Sequence, residues 1–178
     1  MYEDREIAVV YFRAGYTPND YPTDKEWTSR SLIEHSKAIK CPTIAYHLVG
    51  TKKVQQVLAL PGQLERFFSS EQSVLLRQSF AGLYALDSSP ESKEIIARVL
   101  EKQGRGYVIK PQREGGGNNI YGADIPSFLN SLKPGEIEAY ILMDLIESPK
   151  MEAILVRNGE LLQSEVVSEL GIYGIFVA

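Results

Sequence analysis

Residues 106–122 read "GYVIKPQREGGGNNIYG", and no other stretch constrains the fold of this chain as strongly. A short apolar, β-branched run ends in a lysine. A charged segment and three consecutive glycines follow, and then two asparagines and an aromatic return. The apolar run predicts a buried strand, and the glycines predict a loop whose bare backbone lies open to whatever approaches it. Several N–H groups of such a loop can converge on one anion, and a lysine at the strand's end adds a full positive charge. That pairing suits a polyphosphate. The order of residues excludes a Walker A loop, where Lys-Ser/Thr follows the glycines, and the glycine spacing is not G-x-G-x-x-G. Glu114 is out of place in a pure anion site unless a cation shares it. Magnesium, held by one or two carboxylates and by phosphate oxygens, would account for it. The composition of the loop therefore points to Mg-ATP. A solvated surface turn is the alternative that a triple glycine alone would favour.

The segments around the loop predict an α/β chain. "EIAVVYF" (6–12) reads as a buried strand ending in the turn-rich "RAGYTPNDYP". Thr23 and Glu26 have capping-box spacing and open a helix expected to run through Trp27, Leu32, Ile33 and Ile39 to Cys41-Pro42. A second helix ends at Gly50, and Thr51 is placed to cap a third that Pro61-Gly62 stops. Residues 63–103 are mostly helical in pattern. "VLLRQSFAGLYAL" is apolar all round and predicts deep packing. Ser89-Pro90 starts a helix with Ile95, Ile96, Val99 and Leu100 on its apolar face, ended by Gly104. Beyond the glycine loop come a short helix (123–132) closed by Pro134-Gly135 and the strand "EAYILMDLI". "MEAILVR-NG-ELLQSEVV" is a hairpin turning at Asn158-Gly159. The apolar, strand-like end "ELGIYGIFVA" leads us to expect a fragment of a longer protein.

With 178 residues, 44% hydrophobic and 24% charged, the chain has the composition of an ordinary packed domain. A net charge of −4 argues against general binding to nucleic acid or anionic membranes, and no run is long and apolar enough to span a bilayer. One cysteine, Cys41, excludes an intramolecular disulfide. A soluble cytoplasmic protein is the expectation.

"YVIKPQREGGGNNIYG", "AVVYFRAGY", "KCPTIAYHLVGTKKVQQ", "FAGLYAL" and "SELGIYGIFV" together resemble the eukaryotic glutathione synthetase family over nearly the whole chain. The resemblance implies part of an ATP-grasp fold. Residues 1–52 would belong to a substrate-binding domain, and residues 53–178 to the ATP-binding region with its glycine-rich loop at 110–122. It implies a carbon–nitrogen ligase that joins γ-glutamylcysteine to glycine through an acyl phosphate, with ATP and magnesium, as a homodimer. A nucleotide-binding module without catalysis, and a structural fragment whose loop only connects, are the competing readings.

Site residues follow from the same resemblance. Lys110 and Lys52 would contact the ATP phosphates and serve catalysis. Glu114 would ligate magnesium. Gly115, Gly116, Gly117, Asn118, Asn119 and Tyr121 would line the nucleotide. Met143, Asp144, Leu145 and Ile146 would bracket adenine, although the family often has Met-Glu-Lys-Ile there. Glu169 would contact ATP, whereas Glu165, on the same predicted strand face, reads as a solvated edge residue. Arg13, Ala14, Gly15 and Tyr16 would hold the peptide substrate, with Arg13 as a carboxylate clamp. The family commonly has aspartate at the position of Ala14. His35 and His47 read as ordinary helix residues without metal spacing.

Overall fold

A computed structural model describes residues 4–112, 117–133 and 135–174. The chain divides into two compact units, Met1–Leu145 and Ile146–Ala178.

The first unit opens with a parallel strand pair, β1 (Val9–Tyr11) and β2 (Ile39–Cys41), joined through α1 (Asp24–His35). The start of α1 follows from its sequence. Thr23 Oγ1 accepts from Lys25 N–H at 3.2 Å, and Glu26 reaches back to the Thr23 N–H at 2.9 Å. The Thr23 hydroxyl also donates to Glu26 and holds that carboxylate below its usual range. The end of α1 differs from expectation. The helix stops at His35, and Ile39 belongs to β2, because the main chain of 39–41 pairs with 9–11. Parallel pairing requires a crossover of this kind, and a partner strand 30 residues away outweighs local helical periodicity. Nor is β1 buried: Val9 and Tyr11 are exposed.

Two short helices follow, α2 (Ile44–Val49) and α3 (Lys52–Ala59), then α4 (Ser70–Arg77). The apolar stretch beginning at Val74 is not deeply packed. Val74 and Leu75 are exposed, the helix ends at Gln78, and the rest of the run becomes β3 (Leu83–Ala85). Its apolar residues are divided between a surface helix and a sheet strand, which helical periodicity does not distinguish.

The centre of the unit is an antiparallel four-stranded sheet of order β3-β6-β4-β5, with β4 at Tyr107–Pro111, β5 at Ile120–Tyr121 and β6 at Tyr140–Asp144. Helices α5 (Pro90–Glu101) and α6 (Asp124–Ser131) contribute to the core on one face of this sheet. Ile95, Val99, Tyr107, Ile109, Ile125 and Leu142 are buried together there. Ser89 caps α5 as expected, accepting from Ser92 N–H at 3.1 Å, and Pro90 takes the first helical position. Leu100 departs from the predicted apolar face and is exposed.

Side chains alternate along strands, so the residues between the core positions belong to the second face of the sheet. Registers Val108↔Met143, Lys110↔Ile141, Leu83↔Met143 and Val108↔Tyr121 place these side chains together. α3 packs against β3 and β6.

The second unit is the hairpin of β7 (Met151–Arg157) and β8 (Glu160–Val166). Asn158 and Gly159 both have positive φ, 54° and 84°, as a type I′ turn requires. The strand ends at Val166, and the apolar residues from 167 to 174 form no strand. The alternation expected to align Glu165, Val167 and Glu169 therefore lacks its last two members. Among the described residues, no helix is long and apolar enough to cross a membrane.

Candidate functional site

Lys110 is the fourth residue of β4, half-buried, on the sheet face opposite the α5–α6 core. The strand ends one residue later, where the glycine loop begins. Glu114, Gly115 and Gly116 lie outside the described residues. Gly117 and Asn118 are exposed, with Gly117 at φ +91°. Asn119 donates through Nδ2 to the Tyr121 hydroxyl at 2.9 Å, and the register puts Tyr121 on the face of Lys110.

Lys52 enters the same neighbourhood from α3. It is the first residue of that helix and half-buried. The next residue, Lys53, donates its backbone N–H at 2.8 Å to the side-chain oxygen of Gln112, two residues beyond Lys110. The first turn of α3 is thereby tied to the end of β4. Thr51 occupies the N-cap position but makes no side-chain bond to the helix, contrary to its expected role. Among the described residues, neither Lys52 nor Lys110 has an ion-pair partner. Two half-buried lysines with no ion-pair partner among the described residues, one of them opening a helix, make a place that favours an anion.

The predicted adenine segment is divided. Met143 shares the face of Lys110, whereas Asp144 lies on the core side, where its carboxylate accepts from the Tyr84 hydroxyl at 3.3 Å. Burial and the neighbouring Asp144 charge push the Tyr84 phenol up. Asp144 N–H donates to Gly82 O and Leu145 N–H to Gly106 O, so both backbone donors are committed. Leu145 and Ile146 are exposed. Glu169 is exposed and belongs to the second unit, as does Glu165, which pairs with Lys150 at the surface.

Arg13 and Ala14 are exposed in the turn after β1. Tyr16 donates to Phe12 O at 3.1 Å, and its ring meets the His47 ring edge-on at 4.9 Å. Gly15 has φ +96°, and the Tyr21 hydroxyl donates to its carbonyl at 3.2 Å. A Cβ there would lie 2.6 Å from that hydroxyl, so glycine is required twice over. Arg30 holds the turn from beneath. It is 6% exposed, its guanidinium stacks 3.7 Å above the Phe12 ring, and it donates to Tyr21 at 3.4 Å. Sequence reading passed over Arg30. Its i,i+4 spacing to Glu34 was visible, but its burial depends on Phe12 and Tyr21 from other segments.

Among the described residues, no group of three His, Cys, Asp or Glu side chains could hold a metal ion. The described donors therefore form no closed metal site. A magnesium ion carried in on phosphate oxygens needs only one or two carboxylates from the protein.

This fold and its cation-lined sheet face define an α/β chain of ATP-grasp type. It aligns over 76% of its length, with a TM-score of 0.56 and 24% identity, with a glutathione synthetase-like effector from Globodera pallida solved in its apo form, covering 28% of that chain. The family model described as the eukaryotic glutathione synthase ATP-binding domain matches residues 2–178, and the chain belongs to that family. It is 52% identical over 175 residues to the chloroplastic glutathione synthetase of Arabidopsis thaliana, covering 96% of this chain and 32% of the relative. It is 50% identical over 177 residues to the Dictyostelium discoideum glutathione synthetase (97% and 37%). Against the Homo sapiens glutathione synthetase it is 48% identical over 179 residues (98% and 37%). The chain thus spans about a third of the length of these relatives.

Proposed function

We propose that this chain is the ATP-binding portion of a glutathione synthetase, a ligase that joins γ-glutamylcysteine to glycine at the expense of ATP. The observation that carries the reading is the pair Lys52 and Lys110. Both are half-buried, both lack a counter-charge among the described residues, and one hydrogen bond joins the elements that bear them.

Lys52 and Lys110 bind and orient the triphosphate, assisted by loop N–H groups from 115–119. Asn119 and Tyr121 line the nucleotide. Met143 supplies an apolar surface for the purine on the same sheet face. Leu145 and Ile146 would flank it, and Asp144 would offer only its backbone carbonyl, since Tyr84 engages its carboxylate and Gly82 its N–H. Glu114 and the phosphate oxygens would hold magnesium, which neutralises charge on the phosphoryl group when bound. Glu169 would contact ATP, as the family resemblance implies. Arg13 is the clamp for a substrate carboxylate, on a turn shaped by Gly15, Ala14 and Tyr16.

Acyl phosphate formation requires the attacking carboxylate oxygen in line with the γ-phosphorus, and the developing charge must be neutralised. Fixed ammonium groups do this without reorganising at the moment of transfer. Residues 1–52 would serve the substrate and residues 53–178 the nucleotide. In the full-length protein we expect a cytoplasmic homodimer.

The test is Lys110→Met. Mg-ATP affinity should fall on the order of 100-fold, about 2.7 kcal/mol, while the circular dichroism spectrum stays that of the parent. Near-parental affinity would refute the role of Lys110. In the full-length protein, ADP release should require both γ-glutamylcysteine and glycine. ATP binding without that release would leave a nucleotide-binding module and no ligase.

A further inference from the structure

The first turn of an α-helix leaves N–H groups that need acceptors from outside the helix. In α3 the residue placed to supply one, Thr51, makes no such bond. The acceptor comes instead from Gln112, 59 residues along the chain, whose Oε1 takes the N–H of Lys53 at 2.8 Å. Gln112 thus caps α3 from another element. The location of this bond matters. Lys52 precedes its donor by one residue, and Lys110 precedes its acceptor by two. A single side chain therefore joins the two backbone segments that carry Lys52 and Lys110.

Gln112 makes no other side-chain hydrogen bond among the described residues. Its Nε2 is buried and has no hydrogen-bond partner among the described residues. One turn along α3, Gln56 Oε1 is also buried and unpartnered. Of the polar groups on these two glutamines, the Gln112 oxygen is the one engaged across the seam. Lys52 and Lys110 would repel each other if drawn together, and α3 begins with two cations at its positive end. Repulsion between the two lysines does nothing to hold the start of α3 beside β4, whereas the Gln112 bond does.

We infer that Gln112 is a positioning residue for the phosphate-binding lysines: by capping α3 at Lys53 it sets where Lys52 stands relative to Lys110. This rests on the nucleotide reading proposed above. Because Gln112 acts through the place of Lys52, coupling between the two residues separates this role from a general loss of affinity.

In the full-length protein, Gln112→Met keeps the length of the side chain and removes both polar atoms, whereas Gln112→Glu keeps an acceptor oxygen. Amide exchange at Lys53 should be slow in the parent and in Gln112→Glu, and about 10-fold faster in Gln112→Met. Mg-ATP dissociation constants are then measured for the parent, Lys52→Met, Gln112→Met and the double variant. The loss caused by Lys52→Met should be about 5-fold smaller in the Gln112→Met background, because Lys52 is already misplaced there. If Gln112→Met does not fold, Gln112→Asn, one methylene too short to reach, takes its place in the cycle. An equal Lys52→Met loss in both backgrounds, or unchanged exchange at Lys53, overturns the role of Gln112 and leaves the nucleotide site standing. A Lys52→Met variant that binds Mg-ATP like the parent overturns the two-lysine reading and this inference with it.

Discussion

Arg30 is a cation held almost entirely out of water, and its neighbours explain how. Its Nε donates to Glu34 Oε1 at 3.1 Å; Nη2 lies 2.9 Å from the same oxygen, close enough for attraction but not aligned to donate. The Phe12 ring covers one face of the guanidinium. Removing the carboxylate would leave a buried charge with little compensation, and such losses cost about 3 kcal/mol or more. Removing the guanidinium costs packing and the bond to Tyr21 and strands Glu34, which is the more exposed of the pair and is more readily hydrated. Glu34→Gln is therefore expected to lower the denaturant midpoint at least as much as Arg30→Met, with the m-value unchanged. A Glu34→Gln variant as stable as the parent would show that Phe12 and Tyr21 alone sustain the guanidinium. Because Arg30 supports the turn that carries Arg13, substitutions at Arg30 should disturb that turn first.

At the scale of elements, the start of α5 carries a pH dependence of known sign. The Asp87 carboxylate accepts from Ser89 N–H at 3.0 Å, and the Asp87 N–H donates to the Ser92 hydroxyl at 2.9 Å. The Ser89 hydroxyl is the main cause that holds Asp87 below its usual range, followed by the Ser89 N–H, with a smaller contribution from Lys53. A depressed folded-state value means the bond contributes fully above the unfolded aspartate value of about 3.9 and is lost as pH falls through the folded one. Amide exchange at Ser89, corrected for intrinsic rates, should keep its protection from pH 7 to about 4 and lose it only as pH falls further, through the depressed folded value. Protection that persists under acid would mean that the Ser89 hydroxyl cap alone fixes this turn. The same cap was legible beforehand from Ser-Pro followed by an apolar face. By contrast, β3 was hidden inside an apolar run with helical periodicity, because its pairing partner β6 lies 60 residues downstream.

Across the whole molecule, burial is uneven. One face of the four-stranded sheet has a closed core, while Ile154, Val156 and Leu161 of the hairpin and Val9, Tyr11 and Ile39 of the parallel pair are exposed. A two-stranded hairpin alone is marginal in water, even with a favourable turn. A peptide of residues 146–174 should accordingly give a disordered circular dichroism spectrum at 25 °C. A stable β signal from that peptide would mean that its cross-strand pairs suffice.

Local chemistry was the legible part of this protein. The Thr23–Glu26 capping box, the Pro-started helix, the Asn-Gly hairpin and the strand running into a glycine loop follow from bonds and dihedral preferences within a few residues, and the sequence by itself determined them. The family likeness singled out Lys52 and Lys110 without showing what lies between them. Three features depended on the tertiary structure: the pairing of Ile39–Cys41 with β1, the burial of Arg30 beneath its turn, and the capping of α3 by Gln112. Each joins residues distant along the chain, and no local preference encodes which distant partner will arrive. That choice is made when the sheet and its covering helices close around a shared interior.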